Sequence, residues 1–278
     1  MKKLVLADRI VEAKNEAFVM GIVNCTPDSF WEKSRGGEQQ ALRLIEEGAD
    51  ILDLGGESTR PGASYVDENE EIRRIVPVIR AVRKVSDIPV SVDTRKASVM
   101  KAAFEEGADI LNDVSALEDD EKMAAFASET KIPVILMHKR GIPENMQKNV
   151  SYDDVFAEVN DYLEKRINFA LENGIEKDKI IVDSGIGFGK NLEGNKQLIA
   201  RCGKLCGGKH KVLMALSRKS CIGEMTGREV KDRLYGTLAA DIIAVLNGAF
   251  MLRVHDVQSC VDTLAVLKSF RESGLISF

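Results

Sequence analysis

The chain has 278 residues, of which 44% are hydrophobic and 30% are charged, and its formal net charge is −5. This composition excludes a disordered chain, and the negative charge argues against a nucleic-acid partner, which needs a basic surface. No apolar run approaches the roughly 18–20 residues of a membrane span, and Asp8 and Arg9 interrupt the basic N-terminal segment, so neither a membrane partner nor a signal peptide is expected.

In chain order, the first predicted element is a short hairpin over residues 1–16, which contains "KLVLADRIVEA" and would cap the bottom of the fold. Eight short apolar runs follow, and each run closes on polar residues. Continuous apolar runs of this length fit parallel strands that are buried on both faces. The polar residues at their ends are, in order, Asn24, Asp53, Asp93, Asn112 with Asp113, His138, Asp183, Ser217 to Lys219, and Arg253 with His255.

Helical patterns separate the predicted strands. They lie at residues 38–48, 68–86, 97–107, 120–131, 153–173, 191–206, 230–248 and 257–273. Eight strand–helix units allow either a doubly wound open sheet or a closed barrel, and the barrel is favoured because it leaves no edge strands. The expected fold is therefore α/β, a (β/α)8 TIM barrel formed by a single domain over residues 1–278, with the N-terminal hairpin as an extension.

Five cysteines are present, at spacings that match no zinc-binding pattern. Because the number is odd and no pairing pattern is evident, we expect reduced thiols that pack in the interior. Free thiols of this kind are typical of a reducing compartment, and a cytoplasmic location is therefore expected.

The strand ends of a TIM barrel meet at one mouth, where such enzymes build their active sites. Asp183, in the run "IIVDSGIGFGK", would then have neighbours of two kinds. Asp93 and Asn112 suit a neutral ligand that is rich in N–H donors, whereas cations suit phosphates. The cations at or near the predicted mouth are Arg60, Lys219, Arg253 and His255. This inventory predicts a small-molecule ligand that carries both a donor-rich heterocycle and a diphosphate.

Seven ordered motifs at strand ends resemble those of the dihydropteroate synthase family. They are "MGIVNCTPDSF", "GADILDLGGESTRPGA", "SVDTRKA", "ILNDVSAL", "DSGIGFGK", "LSRKS" and "MLRVHDV". The resemblance implies a TIM-barrel transferase of folate biosynthesis. Such an enzyme joins 6-hydroxymethyl-7,8-dihydropterin diphosphate to 4-aminobenzoate and releases pyrophosphate, with Mg²⁺ assisting. The resemblance further implies a homodimer whose aminobenzoate site is the target of sulfonamides.

Roles for the pterin-binding residues are implied by the same resemblance. Asp183 accepts hydrogen bonds from two adjacent pterin N–H donors, while Asp93 and Asn112 hold the other edges of the ring. Lys219 contacts the pterin carbonyl and ring nitrogen, and Arg253 lies on the ring face. All of these residues except Asn112 are implied to be catalytic.

Further implied roles concern the diphosphate and 4-aminobenzoate. The diphosphate faces Arg60, His255 and Asn24, and Asn24 is the implied Mg²⁺ ligand. The residues that border the aminobenzoate pocket are Thr59, Pro61, Phe188 and Ser217, and Phe30 lies on the first loop.

A methyltetrahydrofolate-binding barrel of a corrinoid methyltransferase system is the main alternative, because it shares the strand-end Asp and Asn that hold a pterin. Such a barrel does not need "TPDSF", "STRPG" or "SRKS", and all three are present. A second alternative is an unrelated phosphate-binding barrel, such as an isomerase or an aldolase, and an aldolase would have Lys219 as its only good Schiff-base candidate. Two strand-end residues are interpreted as structural: Asp53, which would hold loop backbone, and His138, which would pack in the interior.

Overall fold

The computed structural model describes residues 2–25, 37–57, 65–141 and 151–275. The strands in these ranges are β1 (Lys3–Val5), β2 (Ile10–Glu12), β3 (Phe18–Asn24), β4 (Ile51–Gly55), β5 (Val90–Asp93), β6 (Ile110–Asp113), β7 (Val134–Met137), β8 (Ile180–Asp183), β9 (Lys211–Met214) and β10 (Met251–Val254). The α-helices are α1 (Gly37–Glu46), α2 (Glu68–Arg83), α3 (Ala97–Glu105), α4 (Met123–Thr130), α5 (Val155–Glu172), α6 (Leu192–Ala200), α7 (Ser220–Thr226), α8 (Leu234–Leu246) and α9 (Val257–Glu272).

Strands β3 to β10 close into a barrel in which neighbouring strands are parallel. Strand β10 completes the ring, because it pairs with β9 on one side and with β3 on the other, where Met251 lies opposite Phe18. Helices surround this barrel, so the prediction of a (β/α)8 TIM barrel is confirmed.

An apolar layer fills the lower part of the barrel interior. Successive side chains of a strand point to opposite faces, so only alternate residues enter the barrel. The strand residues of this layer are Phe18, Met20, Ile51, Ile110, Ile135, Ile181, Leu213 and Met251. Residues between them, such as Leu52 and Leu111, face outward and form a larger core with the helices. Both faces of each strand are therefore apolar, which explains the continuous apolar runs of the sequence.

The N-terminal hairpin lies against the bottom of the barrel. Strands β1 and β2 pair antiparallel, and Leu4 and Leu6 are buried in the same cluster as the interior residues. Lys179, which precedes β8, donates from Nζ to the backbone oxygens of Val5 at 3.3 Å and Leu6 at 2.6 Å. The expected hairpin is confirmed, and it leaves the opposite end of the barrel open for a site.

The helices follow the predicted apolar patterns with two differences. The helix expected over 191–206 is split into α6 and a 3-10 segment, Cys202–Gly208, in which Cys206 has a φ of +50°. Helix α7 was not expected, because its seven residues are too few to show a periodic stripe. Within the described ranges, none of the helices combines the length and the apolar character needed to cross a bilayer.

All five cysteines are free thiols, and those that are buried are Cys202, Cys206, Cys221 and Cys260. Burial raises the pKa of the partly exposed Cys25 to about 12, so this thiol is not activated as a nucleophile. The expectation of unpaired packing thiols is confirmed.

Candidate active site

A polar layer lies directly above the apolar layer, at the C-terminal ends of the strands. On four strands the polar residue comes two positions after an interior apolar residue, and the pairs are Ile51 and Asp53, Ile110 and Asn112, Ile181 and Asp183, and Met251 and Arg253. Residues two apart on a strand share a face, so these polar side chains point into the open end of the barrel. The structure thus brings together residues that are far apart in the sequence.

Arg253 joins two carboxylates across the mouth. Its Nε donates to Oδ2 of Asp53 at 2.5 Å, and its Nη2 donates to Oδ2 of Asp93 at 2.8 Å. Burial alone would lower the pKa of Arg253, but the two carboxylates outweigh that effect and raise it. The side chain of Arg253 is 21% exposed while that of Asp53 is fully buried, so part of the Arg253 side chain is accessible from the mouth.

One carboxylate oxygen of Asp93 lacks a hydrogen-bond partner among the described residues. Arg253 occupies Oδ2, whereas the buried Oδ1 has no hydrogen-bond partner among the described residues. Burial raises the pKa of Asp93 to about 7, with Arg253 opposing the rise and Asp53 adding to it. A buried acceptor without a partner costs about 1–3 kcal/mol, which an N–H donor on a ligand would recover.

Asp53 forms hydrogen bonds with the side chains of Arg253 and Asn112. Besides Arg253, its carboxylate accepts hydrogen bonds from Nδ2 of Asn112 at 3.2 and 3.3 Å. Ser91, opposite Asp53 on β5, has a small side chain, so the amide from β6 can reach past it. Within the described ranges its partners are these two side chains, and the interpretation that Asp53 holds loop backbone and not ligand stays a prediction.

Asp183 ends β8 and leads into a glycine-rich turn. Its Oδ1 accepts the N–H of Gly185 at 2.7 Å, and its backbone oxygen accepts the N–H of His138 at 2.9 Å. Burial raises the pKa of Asp183, while Lys219, the Gly185 N–H and Lys190 oppose that rise. The surrounding cations and the N–H group thus take the place of water in stabilising the carboxylate.

Lys219 contacts the same turn from the other side. Its Nζ donates to the backbone oxygen of Ile186 at 2.5 Å and lies 5.0 Å from the centre of the Phe188 ring. Burial lowers the pKa of Lys219 to about 8, and Asp183 opposes this effect. Lys219, Phe188 and Asp183 therefore form one wall of the mouth.

Ser217 and His255 connect the ends of β9 and β10. The backbone N–H of His255 donates to Oγ of Ser217 at 3.1 Å, and Nδ1 of the same histidine lies 3.0 Å from that oxygen. Because the hydroxyl accepts the backbone N–H, its own hydrogen is available to Nδ1. The contact places a predicted aminobenzoate residue beside a predicted diphosphate residue.

Arg218 is a buried support that was not assigned a role from the sequence. Its guanidinium forms a two-bond fork with Asp256 at 2.8 and 3.0 Å and also donates to two backbone oxygens of the connection that follows. Its φ of +56° is a left-handed conformation, which is unusual for a non-glycine residue. These contacts fix the backbone between Ser217 and Lys219. The one sequence signal was its position between two implied site residues, since Asp256 is 38 residues away.

Other predicted residues have simpler positions. Asn24 is half-buried at the end of β3, where it lies opposite Gly55 of β4. His138 is buried, and its Nδ1 lies 2.9 Å from Nζ of Lys190, so the interpretation as a packed histidine is confirmed. The predicted residues that lie outside the described ranges are Phe30, Thr59, Arg60 and Pro61.

A basic cavity of about 450 Å³ lies at the other end of the barrel. Its lining includes Ile180 and Lys211, the first residues of β8 and β9, together with Lys2, Lys177 and Lys209. None of the strand-end polar residues lines it. TIM-barrel enzymes build their sites at the C-terminal face, so the polar layer, not this cavity, is the candidate active site.

Comparisons with known proteins show which family the chain resembles. The family model described as "Pterin binding enzyme" matches residues 20–255. Dihydropteroate synthase of Escherichia coli (strain K12) is 42% identical over 259 residues, which cover 90% of each chain. Xanthomonas albilineans dihydropteroate synthase with 4-aminobenzoic acid is 44% identical, with a TM-score of 0.88 over 97% of this chain and 98% of that one. Yersinia pestis dihydropteroate synthase in a sulfonamide drug complex is 37% identical, with a TM-score of 0.91 over 97% and 99% of the two chains.

The protein is a closed parallel barrel whose strand ends present carboxylates, an amide and cations to one mouth. Its sequence matches the pterin-binding model, so the fold and the match together define the class of pterin-binding TIM-barrel enzymes. The similarity extends to one branch of that class over nearly the full length of both chains. The chain belongs to the dihydropteroate synthase family, whose members are transferases that condense a pterin with 4-aminobenzoate. The methyltetrahydrofolate-binding alternative is not favoured.

Proposed function

We propose that the mouth of this barrel binds 6-hydroxymethyl-7,8-dihydropterin diphosphate and 4-aminobenzoate through the residues described above. The observation that carries this proposal is the buried Oδ1 of Asp93, which has no partner among the described residues and lies beside the charged Arg253. Asp183 belongs to the same polar layer. A flat ligand with N–H donors along its edges satisfies these acceptors and can lie against the guanidinium.

The pterin is oriented by acceptors along its edge and a cation on its face. Asp183 accepts the ring N–H and the exocyclic amine, two adjacent donors that one carboxylate can take. Oδ1 of Asp93 and the amide of Asn112 bind the other edges. Arg253 is held in place by its carboxylate partners, so it can lie on the ring without losing further conformational freedom. Lys219 donates to the pterin carbonyl and ring nitrogen.

Bond cleavage occurs between the pterin methylene carbon and the diphosphate oxygen. As the C–O bond breaks, positive charge develops on the methylene carbon and spreads into the dihydropterin ring, where Asp93 and Asp183 stabilise it. The amine of 4-aminobenzoate then forms the new C–N bond and releases a proton. This arylamine is a nucleophile at neutral pH, so the reaction does not need a strong general base.

The diphosphate is proposed to face His255, Arg60 and Asn24. Within the described ranges no group of three or more His, Cys, Asp or Glu residues could hold a metal ion. Mg²⁺ commonly binds through one or two protein ligands together with substrate phosphates and water, and the amide oxygen of Asn24 fits the protein share of that set. When bound, the ion neutralises charge on the departing pyrophosphate.

The aminobenzoate pocket is proposed to be bordered by Phe188, Ser217, Thr59 and Pro61, with Phe30 of the first loop nearby. Phe188 offers an aromatic surface next to Lys219, and Ser217 lies beside the proposed diphosphate residue His255. This order places the arylamine between the pterin and the barrel rim, where it can reach the methylene carbon as pyrophosphate leaves.

Conversion of labelled 4-aminobenzoate tests the proposed function. We expect the protein, mixed with the pterin diphosphate and Mg²⁺, to form labelled 7,8-dihydropteroate and an equal amount of pyrophosphate. The same mixture without the pterin diphosphate is the control. If no labelled pteroate forms under conditions where the protein is folded, the proposed function is wrong.

We also propose that the chain forms a homodimer through an apolar face on α7 and α8. The exposed apolar residues of this face are Met225, Tyr235, Ile243 and Leu246. Exposed apolar side chains grouped on one surface are typical of an interface. We expect sedimentation to give the mass of a dimer for the wild type and of a monomer for Tyr235→Asp with Ile243→Asp. Val85→Asp, at an exposed apolar site in the connection that follows α2, should stay dimeric, and a monomeric wild type would exclude this proposal.

A further inference from the structure

Lys190 is a buried lysine at the end of the glycine-rich turn that follows β8. Its Nζ lies 2.9 Å from three acceptors: Nδ1 of His138, the backbone oxygen of Gly185 and the backbone oxygen of Phe188. A longer contact of 3.4 Å joins it to the backbone oxygen of His138. An ammonium group has three N–H donors, so the three shorter contacts use all of them. These partners stabilise the buried lysine, because burying an ammonium group without hydrogen-bond partners would cost free energy of folding.

The contact with His138 defines the protonation of both groups. Burial, together with the charge of Lys190, lowers the pKa of His138 to about 2, so the imidazole is neutral. We assign the hydrogen of this neutral imidazole to Nε2, so that Nδ1 accepts from Lys190. Burial lowers the pKa of Lys190 well below its usual value, and Asp183 opposes this effect by favouring the charged form.

Gly185 connects Lys190 to the carboxylate of Asp183. The N–H of Gly185 donates to Oδ1 of Asp183 at 2.7 Å, and its carbonyl accepts from Lys190 at 2.9 Å. Gly185 has a φ of +65°, and a Cβ at this position would lie 1.9 Å from the backbone oxygen of His138. No other residue type fits here, so the turn presses its backbone against β7 and presents one N–H to Asp183.

The far end of the same turn carries Phe188. Lys190 holds the backbone oxygen of Phe188, while Lys219 holds that of Ile186 at 2.5 Å. Two lysines thus bind alternate carbonyls of one turn, Lys190 from the interior and Lys219 from the mouth. The orientation of the Phe188 ring therefore depends on Lys190 as well as on the residue that it contacts directly.

We propose that Lys190 is a positioning residue for the condensation, which orients the Asp183 carboxylate and the Phe188 ring through its three hydrogen bonds and keeps Asp183 ionised through its charge. The proposal rests on the proposed roles of Asp183 and Phe188 as binding residues for the pterin and 4-aminobenzoate. Lys190 itself contacts neither substrate.

A matched control is available at the opposite end of β8. Lys179 is equally buried and donates to two backbone oxygens, but it lies at the bottom of the barrel, where it holds the hairpin. Lys179→Met therefore removes a buried lysine and its hydrogen bonds without touching the turn after β8. A purely structural role for Lys190 would give Lys190→Met and Lys179→Met the same kind of defect, namely lower stability with unchanged ligand binding.

Titration calorimetry with the pterin diphosphate separates the two roles. For folded Lys190→Met at pH 7.5 we expect a Kd raised at least about tenfold, because the orientation and charge of Asp183 are both disturbed. The KM for 4-aminobenzoate should rise as well, since Phe188 loses its anchor. Lys179→Met should keep the wild-type Kd and KM. Wild-type values in folded Lys190→Met, or equal weakening in both variants, would overturn the proposal.

The pH dependence of pterin binding is a second measurement, and a variant that is only less stable would not change it. The groups that face Asp183 or its cationic neighbours are Lys190, His138, Arg140, Lys219 and Arg253. Removing Lys190 takes away one of the cations that favour the carboxylate, so the pKa of Asp183 rises. The pH below which pterin binding is lost should therefore move upward in Lys190→Met and stay in place in Lys179→Met. An unchanged limit in Lys190→Met contradicts the electrostatic part of the proposal.

Nitrogen NMR of the wild-type protein tests the central contact without any variant that could fail to fold. We expect His138 to show an unprotonated Nδ1 and a protonated Nε2 at pH 7. A protonated Nδ1 would exclude the hydrogen bond from Lys190 and overturn the proposal. Because this measurement needs no substrate, it also separates the two claims: failure to form labelled pteroate defeats the proposed function, whereas a protonated Nδ1 defeats the role of Lys190.

Discussion

Arg253 and Asp93 are 160 residues apart in the sequence and form a 2.8 Å ion pair in the mouth of the barrel. The same guanidinium also binds Asp53 at 2.5 Å, so one arginine neutralises carboxylates from two neighbouring strands. Asp93, which is proposed to bind the edge of the pterin, therefore also holds Arg253, which is proposed to lie on the face of the ring. Residues coupled in this way do not act independently, and a change in one is expected to disturb the others.

Arg253→Lys should lower kcat/KM by roughly 10²-fold or more, because a lysine cannot form the fork between Asp53 and Asp93 or lie flat on a pterin ring. Steady-state kinetics with both substrates measures the effect. Arg271→Lys is the matched control, since Arg271 is half exposed and pairs with Glu16 away from the mouth. Turnover of Arg253→Lys at the wild-type rate would show that the fork is not required.

Asp183→Ala should weaken binding of the pterin diphosphate by about 10²-fold or more, because two charge-assisted hydrogen bonds of about 1.5–3 kcal/mol each are lost. Titration calorimetry measures this directly. Asp178→Ala, an acid at the opposite end of β8 that lines the basic cavity, is the control and should bind normally. Equal affinity of Asp183→Ala and the wild type would remove Asp183 from the site.

Asp241 on α8 should make the protein less stable as the pH rises. It is buried, and neither carboxyl oxygen has a hydrogen-bond partner in the part of the chain that the structure describes. Burial, with a smaller contribution from Asp256, raises the pKa of Asp241 to about 8. Between about pH 4 and pH 8 the folded chain keeps a proton that the unfolded chain has released, so the free energy of unfolding falls by about 1.4 kcal/mol per pH unit.

Asp241→Asn removes this titration and should be more stable than the wild type by roughly 2–4 kcal/mol at pH 7, with the difference disappearing near pH 4. Denaturant unfolding at several pH values between 4 and 8 tests the expectation. Because Asp241 lies outside the proposed binding residues, turnover should stay at the wild-type rate. Parallel stability curves for the two proteins would mean that Asp241 has a partner or an ordinary pKa.

The strands and the polar residues at their ends could be predicted from the sequence because burial on both faces imposes a continuous apolar run. Asp53, Asn112, Asp183 and Arg253 each interrupt such a run where the interior changes from apolar to polar. The location of the mouth follows from the barrel alone. The identity of the ligands was predicted from the family motifs, because the spacing of residues along the chain does not name a ligand.

Pairing within the site could not be predicted, because it depends on distances across the barrel. Asp53 is expected from the sequence to hold loop backbone, yet it binds Arg253 and Asn112, which come from strands on either side of β4. The role of Lys190 could not be predicted, because its partners are three backbone oxygens and the ring of a histidine 52 residues earlier. Hydrogen bonds to backbone leave no pattern of residue types in a sequence.

A crystal structure of the protein with the pterin diphosphate, grown without 4-aminobenzoate, is the most direct measurement of where the ligand binds. We expect pterin N–H donors within hydrogen-bond distance of Oδ1 of Asp93 and of the Asp183 carboxylate, with the guanidinium of Arg253 on the ring face. Density for the ligand in the basic cavity beside Lys177 and Lys211, or a pterin in the mouth whose donors do not reach these carboxylates, would contradict the assignment.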